Sequence, residues 1–192
     1  MNDQDRWWLR LGLLCELVAR SPNKLGRTGL MKLAYLLQTV KGLPLGYDFR
    51  LYTYGPFDSD VLSDLGAAEA LGALKSEMIQ FANAEGYGYE FSEGPIVERV
   101  QKRAAVELTN YESAIKWALE EFGQLSASDF ELLSTIIYAD RESADEDLEI
   151  SFEELCRRVK EIKPRFSDGY VGAKIRELSR KGLLKAACEG IP

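Results

Sequence analysis

The sequence predicts a mainly α protein with a small β-hairpin, an α+β chain. Three observations lead there. Apolar residues recur at helical spacing through most of the 192 residues. Ser, Asp and Gly stand where those stretches need caps and stops. Two short alternating segments flank one glycine-containing turn. Apolar residues are 46% of the chain and charged residues 29%, the balance of an ordinary folded protein.

The first helix is expected from about Arg6 to Arg20, with Trp7, Trp8, Leu11, Leu14, Cys15 and Val18 on one face. Ser21-Pro22-Asn23 ends it. The second runs from about Thr28, a suitable N-cap, to Lys41, and Gly42 stops it. Residues 47–54 alternate as a strand, with Arg50, Tyr52 and Tyr54 on one face, and Gly55-Pro56 breaks it. A helix follows from about Ser59 to Leu74, capped by Asp58 or Ser59. Residues 77–81 and 87–92 read as a hairpin around Ala82–Gly86. Helical patterning resumes at Ile96, breaks near Thr109-Asn110, and runs again from about Tyr111 to Phe122. Ser128 with Glu131 has capping-box spacing, and residues 140–149 read as a solvated charged loop. Ser151 with Glu154 caps a helix to about Ile162, and a last helix spans about Ser167 to Lys181 before Gly182.

Helix, helix, strand, helix and hairpin is close to the plan of a winged helix. The expected organisation is a winged-helix-like unit over residues 1–108 and a helical, helix-turn-helix-like unit over 109–192, able to pack as one domain.

Residues 27–38, RTGLMKLAYLLQ, are similar to the "KL.YLLQ" opening of YwgA-like proteins. Tyr52, Tyr54, Gly55, Pro56, Asp64 and Leu65 match their "F..Y.YGPYS..L..DL" segment, from which Phe57, Asp58 and Val61 depart. Residues 130–138, 159–167 and 175–184 resemble their "ELLATI.Y", "VKE.KP.FS" and "I..L...GLL" segments. The "KL.Y" and "YGP" elements are also similar to the Panacea antitoxin domain. That resemblance implies a toxin-like protein as partner, and no particular reaction.

Charge is unevenly spread. Residues 1–150 hold 14 basic and 25 acidic side chains, and residues 151–192 hold 10 and 6, within a net charge of -7. Nucleic-acid affinity comes largely from cations that neutralise phosphates, so a DNA contact is expected in the C-terminal segment. The candidate residues are Arg157, Arg158, Lys160, Lys163 and Arg165, followed by Lys174, Arg176, Arg180 and Lys181 on the last helix. The same cations equally suit a solvated face and a helix C-terminus. The acidic helix at 59–74 and the acidic hairpin would repel phosphate, so a protein partner fits the N-terminal half better. Its candidate contact is Tyr52, Tyr54, Gly55, Pro56 and Phe57, aromatics beside a rigid turn; the structural alternative is a turn that ends a strand and packs a helix start.

The expected function is a non-enzymatic regulatory or antitoxin-like binding protein, its acidic half holding a protein and its basic end contacting DNA. A pure protein–protein adaptor in a defence or toxin–antitoxin operon is the alternative. The chain has no His, which excludes His-based acid–base or nucleophile chemistry. Cys15, Cys156 and Cys188 are dispersed, with no CxxC, so neither a zinc site nor a disulfide framework is expected, and the cytosol is. Asp58, Asp60 and Asp64 have spacing that a magnesium-dependent nuclease could use, and also that of a solvated helix face. No cofactor and no membrane contact is expected. A homodimer is compatible with the sequence.

Overall fold

The computed structural model describes residues 1–80, 87–146 and 149–186. The expected loop 82–86, Phe81, Asp147 and Cys188 lie outside the described residues. The described elements are α1 (Asp3–Arg20), α2 (Arg27–Lys41), β1 (Arg50–Tyr52), β2 (Gly55–Phe57), α3 (Ser59–Ala70), β3 (Leu74–Gln80), β4 (Tyr87–Glu93), α4 (Val97–Arg103), α5 (Ala105–Asn110), α6 (Glu112–Phe122), α7 (Ala127–Asp145), α8 (Phe152–Ile162) and α9 (Asp168–Arg180). The chain is mainly helical, with antiparallel two-stranded sheets β1-β2 and β3-β4. Among the described residues, no helix is long and apolar enough to cross a membrane.

Two compact units form: Met1–Arg50 with Phe57–Leu125, and Leu51–Pro56 with Ser126–Pro192. The division therefore falls after Leu125, where the sequence suggests 108. The reason is α6, whose buried Ile115, Ala118, Leu119 and Phe122 belong to a helix packed on α2 and α1.

In the first unit α1 is central, packed on α2, α3, α4, α5, α6 and β4. Its turns from Leu9 to Leu17 are buried nearly all round, as are Leu30 to Leu37 of α2. Asn2 caps α1 by accepting from the Asp5 N–H at 2.8 Å, so the helix starts at Asp3, three residues before the expected Arg6. Thr28 is not the cap of α2; Gly26 precedes its first turn. Gly42 ends α2 as expected, its N–H donating to Gln38 O and that of Leu43 to Leu37 O.

The expected strand 47–54 is mostly not one. The Gln38 amide brackets the Tyr47 backbone at 2.8 and 3.0 Å, and residues 47–49 join no ladder. Pairing begins at Arg50, and Gly55-Pro56, read as a break, opens the returning strand Gly55–Phe57. Helix α3 stops at Ala70, before the expected Leu74, and β3 then pairs with β4 from Leu74↔Glu93 to Gln80↔Tyr87.

In the second unit α7, α8 and α9 pack on one another. Their buried residues include Phe130, Leu133, Ile136, Leu155, Val159, Val171, Ile175 and Leu178. Ser126, not Ser128, caps α7, and it exchanges hydrogen bonds with Asp129. The helix continues to Asp145, so most of the expected loop at 140–149 is helical. Asp140 faces inward there: its carboxylate accepts from the Lys185 and Ala186 N–H groups at 2.7 and 2.9 Å and pairs with Arg141. Helix α8 has the expected Ser151 cap, bonded to the Glu154 N–H. Helix α9 closes through Gly182, with Leu183 N–H on Leu178 O.

Candidate functional site

The second unit builds a fixed turn that ends in exposed tyrosines. Gly55 and Pro56 are buried, while Tyr52, Thr53 and Tyr54 stand out. Tyr52 is 68% and Tyr54 64% exposed. Gly55 has φ +92°, and a Cβ there would lie 3.0 Å from Thr135 Oγ1 and 3.3 Å from Ser134 Oγ. Both its conformation and its closeness to α7 therefore require glycine. Thr135 and Ser134 themselves donate to the Glu131 carbonyl, at 2.8 and 3.1 Å.

Under the turn lies an ion cluster. The Lys163 ammonium is 2.8 Å from Glu131 Oε1 and donates to the Thr53 carbonyl. The two side chains are only 4% and 8% exposed. The Arg165 guanidinium closes the cluster from the solvent side, 2.9 Å from Glu131 Oε2. A buried ammonium needs a carboxylate and acceptors, and here it has both. Its position is set by the end of α8, where Lys163 is the C-cap, and by the second turn of α7, which carries Glu131.

Of the sequence-predicted contact residues, Tyr52 and Tyr54 are thus presented, and Gly55 and Pro56 form the anchor beneath them. Phe57 is half-buried and belongs to the first unit.

The predicted DNA-contacting cations are largely spoken for. Arg157 pairs with Glu154 at 2.7 Å and with Glu161. Arg158 lies 2.9 Å from Glu154 and also donates to Ser143. Lys160 is 3.2 Å from Asp168 and donates to the Phe166 carbonyl. Lys174 is 3.1 Å from Glu177 and 3.6 Å from Asp129, and Lys181 is 3.3 Å from Glu177. Arg176 stacks over the Phe152 ring at 4.5 Å, and Arg180 donates to the Arg176 carbonyl. With Lys163 and Arg165 on Glu131, at least seven of the nine have a carboxylate within 4 Å among the described residues.

The carboxylates respond. Arg157 and then Arg158 hold Glu154 down to about 2. Burial pushes Glu177 up, but Lys174 and Lys181 outweigh it and keep its pKa below the ordinary value. The Tyr170 hydroxyl and Ser126 lower Asp129. The charge split seen along the sequence also disappears within the folded unit. Residues 51–56 and 126–192 together carry 11 basic and 14 acidic side chains, because α7 and its flanks bring the carboxylates.

Two of the three aspartates considered for magnesium, Asp58 and Asp64, have separate duties in the first unit. Asp58 caps α3, accepting from the Asp60 and Asp48 N–H groups at 2.8 and 2.6 Å. Asp64 is buried, accepts from the Tyr47 hydroxyl at 2.8 Å, and lies 2.9 Å from Arg10 Nε. Burial raises its pKa, partly offset by Tyr47 and Arg10. Among the described residues, no cluster of three His, Cys, Asp or Glu could hold a metal ion.

No protein-family model matches this chain, and no curated protein matches its sequence.

Proposed function

We propose that this chain is a non-enzymatic, cytosolic protein-binding module whose contact element is the turn Tyr52-Thr53-Tyr54. One observation carries the reading: two strongly exposed tyrosines stand on a turn whose base is buried and tied by the Lys163–Glu131 pair. Aromatic side chains on a preorganised turn give large contact area at low entropic cost, which is the character of interface hot spots. The resemblance to YwgA-like proteins and to the Panacea antitoxin domain supports an antitoxin-like adaptor with a toxin-like protein as partner. The order α1, α2, α3, β3, β4 supports a winged-helix-like first unit. Its net charge of -4 favours a protein over a nucleic acid there.

A DNA contact through α8 and α9 draws less support, since phosphates would have to displace carboxylates already seated on the cations. A homodimer has no particular observation behind it.

The test begins with a photo-crosslinking amino acid at Tyr54, used in the native host to identify the bound protein. That protein is then purified and titrated. Tyr52→Ala/Tyr54→Ala should weaken binding by roughly 30-fold, the loss of about one hot spot, with an unchanged circular-dichroism melt. Equal binding by the double variant rejects the reading. A gel shift at low salt, abolished when Lys174, Arg176, Arg180 and Lys181 are changed to Glu, would favour the DNA contact instead.

A further inference from the structure

The first unit carries a second surface, independent of the tyrosine turn. The β3-β4 sheet has two strands, and each has an outer edge. The edge of β4 is occupied, because the Phe91 N–H donates to the Leu25 carbonyl at 2.9 Å. That bond also sets the parity of the ladder. Phe91 faces Ser76 in register but sends its N–H away from β3, so Ser76↔Phe91 is a non-hydrogen-bonded pair. Alternation makes Met78↔Tyr89 and Gln80↔Tyr87 the same kind. The backbone N–H and C=O groups of Met78 and Gln80 therefore point outward from the sheet. Among the described residues, none bonds to them on that side.

The side chains along this edge have a distinct chemistry on each face. Met78 is 64% exposed and shares its face with Tyr89, whose ring carries the Arg27 guanidinium at 3.7 Å, and with Tyr87. On the opposite face Glu77 stands directly across from Glu90. Like charges in directly opposed positions destabilise a sheet. Lys24 relieves Glu90 at 3.4 Å; Glu77 is exposed and pairs with no described cation. A strand laid on β3 would place alternate residues beside Met78 and beside Glu77.

We propose that the outer edge of β3 takes an extended segment of a partner protein as an added antiparallel strand, with a basic side chain beside Glu77 and an apolar one beside Met78. Main-chain hydrogen bonds to Met78 and Gln80 supply the attachment, and the Glu77 charge sets the preference. Edge strands are commonly guarded by charge against such pairing. Here the guard is a carboxylate that a lysine converts into a contact.

The probe is a fluorescently labelled nine-residue peptide alternating valine and lysine, titrated onto the full chain by polarisation; a valine–glutamate peptide is the control. The lysine peptide should bind at least tenfold more tightly, and the Met78 and Gln80 amides should gain protection from hydrogen exchange. Met78→Pro removes an N–H that β4 does not use, and edge positions tolerate proline. This variant should lose binding at least tenfold with the β3-β4 ladder intact by NMR. Glu77→Lys, which leaves the backbone untouched, should reverse the preference toward the glutamate peptide. Absence of binding, unchanged binding by Met78→Pro, or a lysine preference that survives Glu77→Lys each overturns the proposal. So does a dimer in solution that Met78→Pro converts to a monomer, since a second copy would then own the edge.

Discussion

The Lys163 ammonium, 2.8 Å from the Glu131 carboxylate, also donates to the carbonyl of Thr53, 110 residues earlier in the chain. Removing one member of a buried ion pair leaves the other uncompensated and costs about 3–5 kcal/mol, whereas replacing both with apolar groups of similar volume is often close to neutral. Lys163→Met and Glu131→Met should each destabilise the protein strongly, and the double variant should recover much of the loss. Urea unfolding of the three variants measures this; additive losses would show that the pair is not coupled.

Gly55→Ala should be costly. The φ of +92° disfavours any side chain, and the new methyl would meet Thr135 Oγ1 at 3.0 Å. The expected destabilisation is about 1–3 kcal/mol. Gly66→Ala, in the exposed interior of α3 with open space around it, should instead stabilise by about 0.5–1 kcal/mol. Thermal melts of the two variants should move in opposite directions.

Acid should loosen the second unit early. Glu154 is held down to about 2 by Arg157 and Arg158, and Asp129 is lowered by Tyr170 and Ser126. A carboxylate lowered by folding contributes stability that is present above its unfolded pKa and is lost as pH falls through its folded one. For Glu154 that window runs from 4.5 down to about 2. Asp64 has the opposite sign, since its raised pKa makes its contribution fall as pH rises through the ordinary carboxylate range. Carboxyl-carbon NMR titration should place Glu154 well below an exposed glutamate. Arg157→Ala/Arg158→Ala should return it toward 4.5.

Cys15 should be inert. It is buried in α1, and burial, helped by Glu16 and Glu93, pushes its thiol up to about 12. Iodoacetamide at about pH 8 should leave it unmodified until denaturant is added. Native labelling at Cys15, read by peptide mass spectrometry, would contradict the burial of α1.

The helices were legible wherever a cap and an apolar stripe coincided, as at Ser151 with Leu155 and Val159, or Gly182 after α9. The misreadings share a cause. Residues 140–149 look solvated because charge usually means solvent, yet Asp140 is inward with backbone N–H partners supplied from residues 185 and 186. Local sequence does not show partners that distant. Charge summed along the C-terminal segment likewise omits the carboxylates that α7 brings to the same helices, Glu131 beside Lys163 and Asp129 beside Lys174. The sequence marks Tyr52 to Phe57 as a candidate contact, or else a strand-ending turn, and reads Gly55-Pro56 as a break; the structure has the strand β2 there. Glu131 carried a usable signal: a carboxylate inside the apolar run Phe130-Glu131-Leu132-Leu133 demands a buried cation.

The Thr53–Lys163 hydrogen bond has a consequence for vectorial synthesis. A ribosome adding roughly 5–20 residues per second delivers Tyr52 and Tyr54 many seconds before it delivers the lysine that seats their turn. Throughout that interval the nascent chain displays both rings without their anchor. A chaperone, or the eventual partner itself, would meet them first in that immature form. Translation pauses that fall after both tyrosines have left the ribosome and before Lys163 has done so should therefore lower yield more than pauses placed before the tyrosines emerge.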